Sequence, residues 1–393
     1  RMAVGAIGRT HPLRGRPMKI GLVCRHFLSG KGGLERYTLA LSDELVRQGH
    51  EVHVFANTGE KKPDIRLHHV PIFPFSSPGK NLSFALRASA IISGFGLDVV
   101  QSMERIWSQD IFRASDGINP VQMKQRYLNP VLRRFKAITP RRQALTLLEK
   151  RIFQENGARY IIANSNMVKD QIGHYYRVSD EKIQVIYNSV DTTRFNPAIR
   201  DRFRASIRTQ HGIGADKLLI LFVGNGYKQK GLPILLRAVA KFGHEKIRLM
   251  VAGIDSSKHY HRWMQQMGMA ESTIFLGYQK EIERLYGTAD LLVLPTQYDP
   301  FANVCLEAMA CGTPVITTRM NGASEIIEHG RDGFVLDSGT VDEVAARIKD
   351  FMAVTDKSAM RQRASAIANA FTMERHMDRL LELYARVCEE KSR

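Results

Sequence analysis

The chain has 393 residues, 44% of them hydrophobic and 24% charged, which is the make-up of a folded protein with room for two domains. No apolar run approaches the ~18 residues of a spanning helix. Cys24, Cys305, Cys311 and Cys388 lack the close pairing of a metal-ligand set or disulfide framework, so a reducing cytosol fits. The net charge of +18 favours an anionic partner (nucleic acid, anionic lipid or a phosphorylated substrate) without choosing among them.

Residues 1–17 carry four arginines and no apolar stretch of the secretory type; they read as a flexible basic tail, with Met18 opening the fold. KIGLVC at 19–24 is a buried-strand run, SGKGG at 29–33 a Gly-rich turn, and 34–48 a helix with Leu34, Tyr37, Leu41, Leu45 and Val46 on one face, stopped by Gly49. EVHVF at 51–55 completes a βαβ unit, which implies a parallel sheet. DVVQS at 98–102, RYIIANS at 159–165 and KIQVIYNS at 182–189 continue the strands. The polar, Arg-rich segment 191–216 reads as an interdomain connection. A second alternating run follows, with strands at 218–224, 248–253, 273–277, 290–295, 314–318 and 333–337. The expected fold class is therefore α/β, two sequential doubly wound domains. The first spans 18–192 plus a returning helix at 371–393, and the second 193–370.

DPFANVCLEAMACGTPVI at 299–316 is the most specific stretch. A helix is expected from Asn303 to about Gly312, with Pro314 beyond it. In a parallel sheet the loop after a strand faces the ligand crevice, and the next helix points free N–H groups into it. Asp299 in that loop and Glu307 in the helix are carboxylates suited to the vicinal diols of a ribose and a hexose. FVGNGYKQKGLP at 222–233 ends a strand in a Gly-rich turn whose Lys228 and Lys230 suit a diphosphate. At the first domain's turn, Gly32 and Gly33 permit close approach of backbone to ligand.

The 299–316 stretch resembles the Glu-x(7)-Glu signature of family 4 retaining glycosyltransferases, which have the GT-B fold of two Rossmann-like domains facing a cleft. The resemblance implies that Glu307 binds the donor ribose and that Asp299, where the family has Glu, lies against the transferred sugar. It also implies that the backbone at Asn303 and Val304 meets donor groups. Lys230-Gly231 matches the family's Lys-Gly pair; Asn225 stands where its diphosphate-binding Arg is common, so Lys228 takes that part. Gly32 and Gly33 match the first domain's Gly-Gly loop, and Tyr278 the loop that receives the base. The likeness covers nearly all of 18–390. Many relatives place a His near the end of the first domain's fourth strand. QSMERIWSQDIFRASDG at 101–117 has none and resembles the subgroup that glucosylates heptose in the lipopolysaccharide inner core. Of Glu104, Asp110 and Asp116, the resemblance favours Asp110 as the assisting carboxylate.

Between 124 and 151, Lys124, Arg126, Arg133, Arg134, Lys136, Arg141 and Arg142 lead a basic run interleaved with Tyr127, Leu128, Val131, Leu132, Phe135 and Ile138; Glu149 is its one acid. Such a mixture suits an anionic membrane surface, each basic residue contributing ~1 kcal/mol, or a phosphorylated acceptor. No nucleic-acid-binding motif is present. The expected activity is retaining transfer of a hexose from a UDP-sugar, most simply UDP-glucose, to a lipopolysaccharide inner-core glycolipid at the cytoplasmic face of the inner membrane. It needs no cofactor, and no Asp-x-Asp pair suggests a metal. Transfer from GDP-mannose and non-catalytic nucleotide-sugar binding are the alternatives. An NAD-dependent oxidoreductase lacks its Gly-x-Gly-x-x-Gly turn here.

Overall fold

The structure, a computed structural model, describes residues 16–28, 32–243, 245–256 and 258–393. The expected basic tail lies outside the described residues except for Arg16 and Pro17, as do positions 29–31 of the Gly-rich turn. The chain forms two compact units. One comprises the residues up to Ala163, Lys169–Ile186 and Met377–Arg393; the other comprises Asn164–Val168 and Tyr187–His376.

In the first unit the order is β1 (Lys19–Val23), β2 (His26–Phe27), α1 (Gly33–Arg47), β3 (Glu51–Ala56), β4 (Thr58–Gly59), β5 (Ile65–His69), α2 (Ser77–Ile92), β6 (Val99–Ser102) and β7 (Gln109–Arg113). Then come α3 (Asn119–Arg126), α4 (Pro130–Ala137), α5 (Pro140–Gln154), β8 (Ala158–Ala163), α6 (Asn166–Tyr176) and β9 (Ile183–Val185). The strands make a parallel sheet in the order β5-β3-β1-β6-β7-β8-β9, with β2 pairing β4 apart. The helix α1 buries Thr38, Leu41, Ser42 and Leu45 and ends where Gly49 turns to φ +84°, a left-handed cap that glycine adopts freely.

The second unit holds α7 (Ala198–Gln210), β10 (Leu218–Val223), α8 (Leu232–Ala240), β11 (Ile247–Ala252), α9 (Lys258–Gln266), β12 (Thr273–Gly277), α10 (Ile282–Thr288) and β13 (Leu291–Leu294). It continues through α11 (Asn303–Ala310), β14 (Val315–Thr318), β15 (Gly333–Leu336), α12 (Val341–Ala353), α13 (Lys357–Ala368) and the start of α14 (Met373–Ser392). Its parallel sheet runs β12-β11-β10-β13-β14-β15. β10 and β13 are apolar runs buried on both faces, as central parallel strands are, and β14 (Val-Ile-Thr-Thr) is buried along its whole length.

Three expectations are corrected. β5 and β7 are strands that the sequence reading passed over. Segment 191–216 is not the interdomain connection but part of the second unit: α7 packs on α10, and its Arg200, Arg204 and Arg208 converge on the buried Asp290 at 3.3, 2.7 and 3.3 Å. The chain changes unit between Ile186 and Tyr187, six residues before the expected boundary at 192, and returns inside α14 rather than at 371. Asn164–Val168 is held in the second unit by Glu325, whose carboxylate accepts the Asn166 and Met167 N–H groups at 2.9 and 2.7 Å and so caps α6.

Candidate functional site

Each sheet reverses its winding once, between β1 and β6 in the first unit and between β10 and β13 in the second. Ligands of open α/β sheets sit at such points, outside the carboxyl ends of the strands. In the second unit that selects the turn after β10, which carries Lys228 and Lys230, and the loop after β13, which carries Asp299.

The two segments are tied together. The Gln229 carbonyl accepts from Gln297 N at 3.0 Å and from the Thr296 hydroxyl at 3.2 Å. Gly231 adopts φ +84°, and a Cβ there would stand 2.0 Å from the Pro295 carbonyl oxygen, so only glycine fits. This close approach carries Lys230 to Asp299, and its ammonium donates to Asp299 Oδ2. Asp299 is buried; its other oxygen accepts from Phe301 N at 3.2 Å. The thiol of Cys305 is pushed up to about 12, first by burial and then by the charge of Asp299.

α11 begins at Asn303, as expected, and ends at Ala310, with Gly312 (φ +72°) in the left-handed stop position. Ala302 caps it without a side-chain hydrogen bond, so the Asn303 and Val304 N–H groups belong to the helix's unsatisfied first turn. Asn303 also takes a 2.5 Å hydrogen bond on its side-chain oxygen from Asn188. Glu307 is buried one turn on, and its Oε2 accepts from the Tyr286 hydroxyl at 2.8 Å. Asn321 was not singled out by the sequence. Its amide oxygen accepts from Ala302 N (3.0 Å) and Ala323 N (3.1 Å), while its nitrogen donates to Thr317 Oγ1 at 2.9 Å, which fixes the entry to α11. A Cβ on Gly322 would stand 2.0 Å from the Pro300 carbonyl oxygen, which presses that segment onto the Asp299 loop.

The structure thus brings Lys230, Asp299, Asn303, Val304 and Glu307 to one edge of the second sheet. Tyr278 is exposed just after β12, two strands along. Lys228 is exposed and faces a groove with α8 and α9 instead of Asp299. Asn225 is occupied structurally: its side-chain oxygen accepts from Ile254 N at 2.7 Å, joining the turns after β10 and β11.

In the first unit the corresponding edge holds Gly32 and Gly33 at the start of α1, then Arg25 after β1 and Glu104 after β6. A Cβ on Gly32 would stand 2.6 Å from Glu35 Oε2. The Glu104 carboxyl is pushed above the usual range, chiefly by burial; Asp116 and Glu35 push it the same way, against Arg25 and Arg105. Arg25 approaches Glu104 at 3.5 Å.

Asp110 is not at this edge. It is the second residue of β7, toward the strand's amino end, where it accepts from Val100 N at 2.8 Å and pairs with Lys391 of α14 (3.1 Å) and Arg159 of β8 (3.5 Å). The assignment of Asp110 as assisting carboxylate is therefore corrected: it fastens α14 to the sheet. Glu104 and Asp116, which follow the carboxyl ends of β6 and β7, stand on the ligand-facing edge.

The basic stretch forms α3, α4 and the start of α5. α4 buries no residue, and Leu128, Val131, Phe135 and Ile138 are each more than 60% exposed beside Arg133, Arg134 and Lys136. Glu149, the one acid of that stretch, is fully buried and paired with Arg105 at 2.8 Å. Arg142 turns inward to the Asn119 side-chain oxygen at 2.6 Å; Arg141 belongs to the same turn of α5. Among the described residues no helix is long and apolar enough to cross a membrane, and no cluster of three or more His, Cys, Asp or Glu is placed to hold a metal ion.

Residues 203–390 match the family described as glycosyl transferases group 1, and residues 31–194 match glycosyltransferase family 4. The D-inositol 3-phosphate glycosyltransferase of Mycolicibacterium smegmatis is 26% identical over 91% of this chain and 87% of its own. Among solved structures, WaaG, a glycosyltransferase involved in lipopolysaccharide biosynthesis, superposes with a TM-score of 0.78 at 19% identity over 93% of this chain and 98% of that one. HepE of Anabaena in complex with UDP-glucose does so with a TM-score of 0.72 at 20% identity over 95% and 99%.

Proposed function

We propose, from the premise that the chain is a nucleotide-sugar-dependent glycosyltransferase of family 4 with the GT-B fold, that it transfers glucose from UDP-glucose to a phosphorylated glycolipid of the lipopolysaccharide inner core. The observation that carries the donor half is the convergence of Lys230, Asp299, the first turn of α11 and Glu307 at the switch point of the second sheet. Lys230 and the free N–H groups of Asn303 and Val304 meet the diphosphate, where negative charge grows as the glycosidic bond breaks. Glu307, oriented by Tyr286, holds the ribose diol, and Asp299 the hexose hydroxyls.

Among the described residues no side chain at this edge stands free to act as a covalent nucleophile, Asp299 being paired with Lys230, so we favour transfer on one face of the sugar. The acceptor oxygen bonds to the anomeric carbon as the bond to the β-phosphate oxygen breaks; a donor phosphate oxygen takes the acceptor's proton, and UDP leaves. In the first unit Glu104 is the carboxyl best placed, by its edge and its raised pKa, to orient the acceptor hydroxyl.

The acceptor half rests on α4. An exposed face of apolar and basic side chains is what an anionic lipid interface selects, and it supports peripheral attachment to the membrane that carries the acceptor. A second reading, transfer to a soluble phosphorylated cyclitol, is favoured by the named relative that matches most of the chain.

The test is transfer of radiolabelled glucose from UDP-glucose to a deglucosylated inner-core acceptor in anionic vesicles, set against inositol phosphate in solution. Incorporation into the glycolipid that disappears in Lys230→Ala and Glu307→Ala supports the first reading. Incorporation into inositol phosphate alone overturns it, and full activity in both folded variants refutes the donor assignment.

A further inference from the structure

We propose a second ligand site on the second unit, in the groove between α8 and α9, that binds a phosphorylated saccharide distinct from the donor. It rests on observations separate from the donor assignment. The groove encloses a pocket of about 570 Å³, within the range of small-molecule sites. Lys228 stands at one end, in the turn after β10, with Arg237 on α8 and Arg262 on α9 along the walls. No carboxylate lines the pocket, and among the described residues none pairs with these three cations. Asp255 lies close enough to influence Tyr260, but its oxygens are already taken by the backbone N–H groups of Tyr227 and Ser256, each at 2.7 Å. Three cations lining one groove, none of them paired with a carboxylate among the described residues, form a site for a polyanionic group such as a phosphate.

The remaining wall is aromatic. Trp263 is half-buried, with the Arg237 guanidinium 5.1 Å from its ring centroid and the His259 ring stacked at 6.5 Å and 21° from parallel. Tyr260 tilts against it at 6.5 Å, and Pro233 adds an apolar edge. A flat, electron-rich ring beside cations is a surface for the polarised C–H face of a sugar ring. Lys228 and Lys230 are two residues apart but turn to different neighbours, Lys230 to Asp299 and Lys228 to this groove. The two lysines thereby divide one turn between two ligands.

Only two tryptophans are present, so Trp107→Phe leaves Trp263 as a single reporter. In that full-length variant, glucose 6-phosphate is titrated while Trp263 emission is followed, with glucose, inorganic phosphate and micelles of a phosphorylated disaccharide glycolipid as the other arms. Calorimetry on the unsubstituted protein gives a second readout, and the thermal shift with UDP reports separately on folding and the donor site. The expected result is a saturable change with the phosphosaccharide that is at least tenfold weaker with glucose or inorganic phosphate. It should weaken at least tenfold in Arg237→Ala/Arg262→Ala, while the UDP shift persists. Saturation by glucose 6-phosphate assigns a soluble ligand, and saturation by the micelles alone a lipid-borne one. No saturable response to either, equal binding of inorganic phosphate, or an unchanged response in the double variant overturns the proposal.

Discussion

Lys230 rests against Asp299, the carboxylate that the donor's hexose would engage, so donor binding has to share or replace that ion pair. Removing the lysine deletes charge-assisted hydrogen bonds to the diphosphate, each ~1.5–3 kcal/mol, and leaves Asp299 buried without its partner. Lys230→Ala is expected to lower kcat/KM by about two orders of magnitude, with Lys230→Met no better, measured as UDP-glucose turnover. Asp110→Asn tests the corrected assignment. It should leave kcat within about twofold yet lower the thermal midpoint, because Asp110 joins β7, β8 and α14. A large fall in kcat at unchanged stability would restore it to the chemistry. The sequence displayed Asp299, Glu307 and Lys230 because their spacing is local. Asn321 and Tyr286 were not legible, since their value lies in bonds to residues 19 and 21 positions away that only the fold brings near. Asp110 was misread because a carboxylate inside QDIFR looks the same whether it begins a strand or ends a loop.

Among the elements, α4 and α7 make opposite uses of arginine. α4 buries nothing, so Arg133→Glu/Arg134→Glu/Phe135→Ser should leave the unfolding midpoint nearly unchanged. Vesicle binding should fall by ~1 kcal/mol per lost cation and further for the reversals, seen as loss of sedimentation with anionic but not neutral vesicles. α7 instead turns three arginines onto Asp290, which also accepts Leu219 N at 2.9 Å. Asp290→Ala strands those cations and should destabilise the second unit by ~3–5 kcal/mol in urea unfolding. An Arg-rich stretch reads as solvated from composition alone, which is why 191–216 reads as an interdomain connection in the sequence.

The edge strand β5 was hidden for a related reason. IRLHH in β5 carries polar residues that pack only because His53 and His68 stack and meet at 2.9 Å beside Phe55 and Phe95. Burial, then the charges of His53, Arg66 and Lys19, depress the His68 pKa below its ordinary 6.5. The unfolded chain therefore binds more protons as pH drops through 6.5, and stability is lost in that direction. The urea midpoint should fall between pH 7.5 and 5.5, and His68→Phe should flatten that dependence. Glu51 and Arg66 also face this cluster and remain in the variant.

At the scale of the whole molecule, nucleotide selectivity is the property to measure. UDP at ~100 times its dissociation constant should stabilise by ~2.7 kcal/mol, with GDP giving less. An equal or larger shift with GDP would redirect the donor assignment to mannose. The second unit was the more legible half because β10 and β13 are continuous apolar runs followed at once by Gly224 and Pro295.

The first unit's packing includes Leu380, Leu383, Tyr384 and Val387 of α14, all buried, with the Tyr384 hydroxyl donating to Gln101 at 2.9 Å. These residues leave the ribosome only after the entire second unit. The amino-terminal unit must therefore wait, with part of its hydrophobic interior uncovered, while nearly 200 further residues are translated. A nascent chain halted at residue 376 should keep that unit protease-sensitive and dependent on chaperones, even though most of its own sequence has long been synthesised.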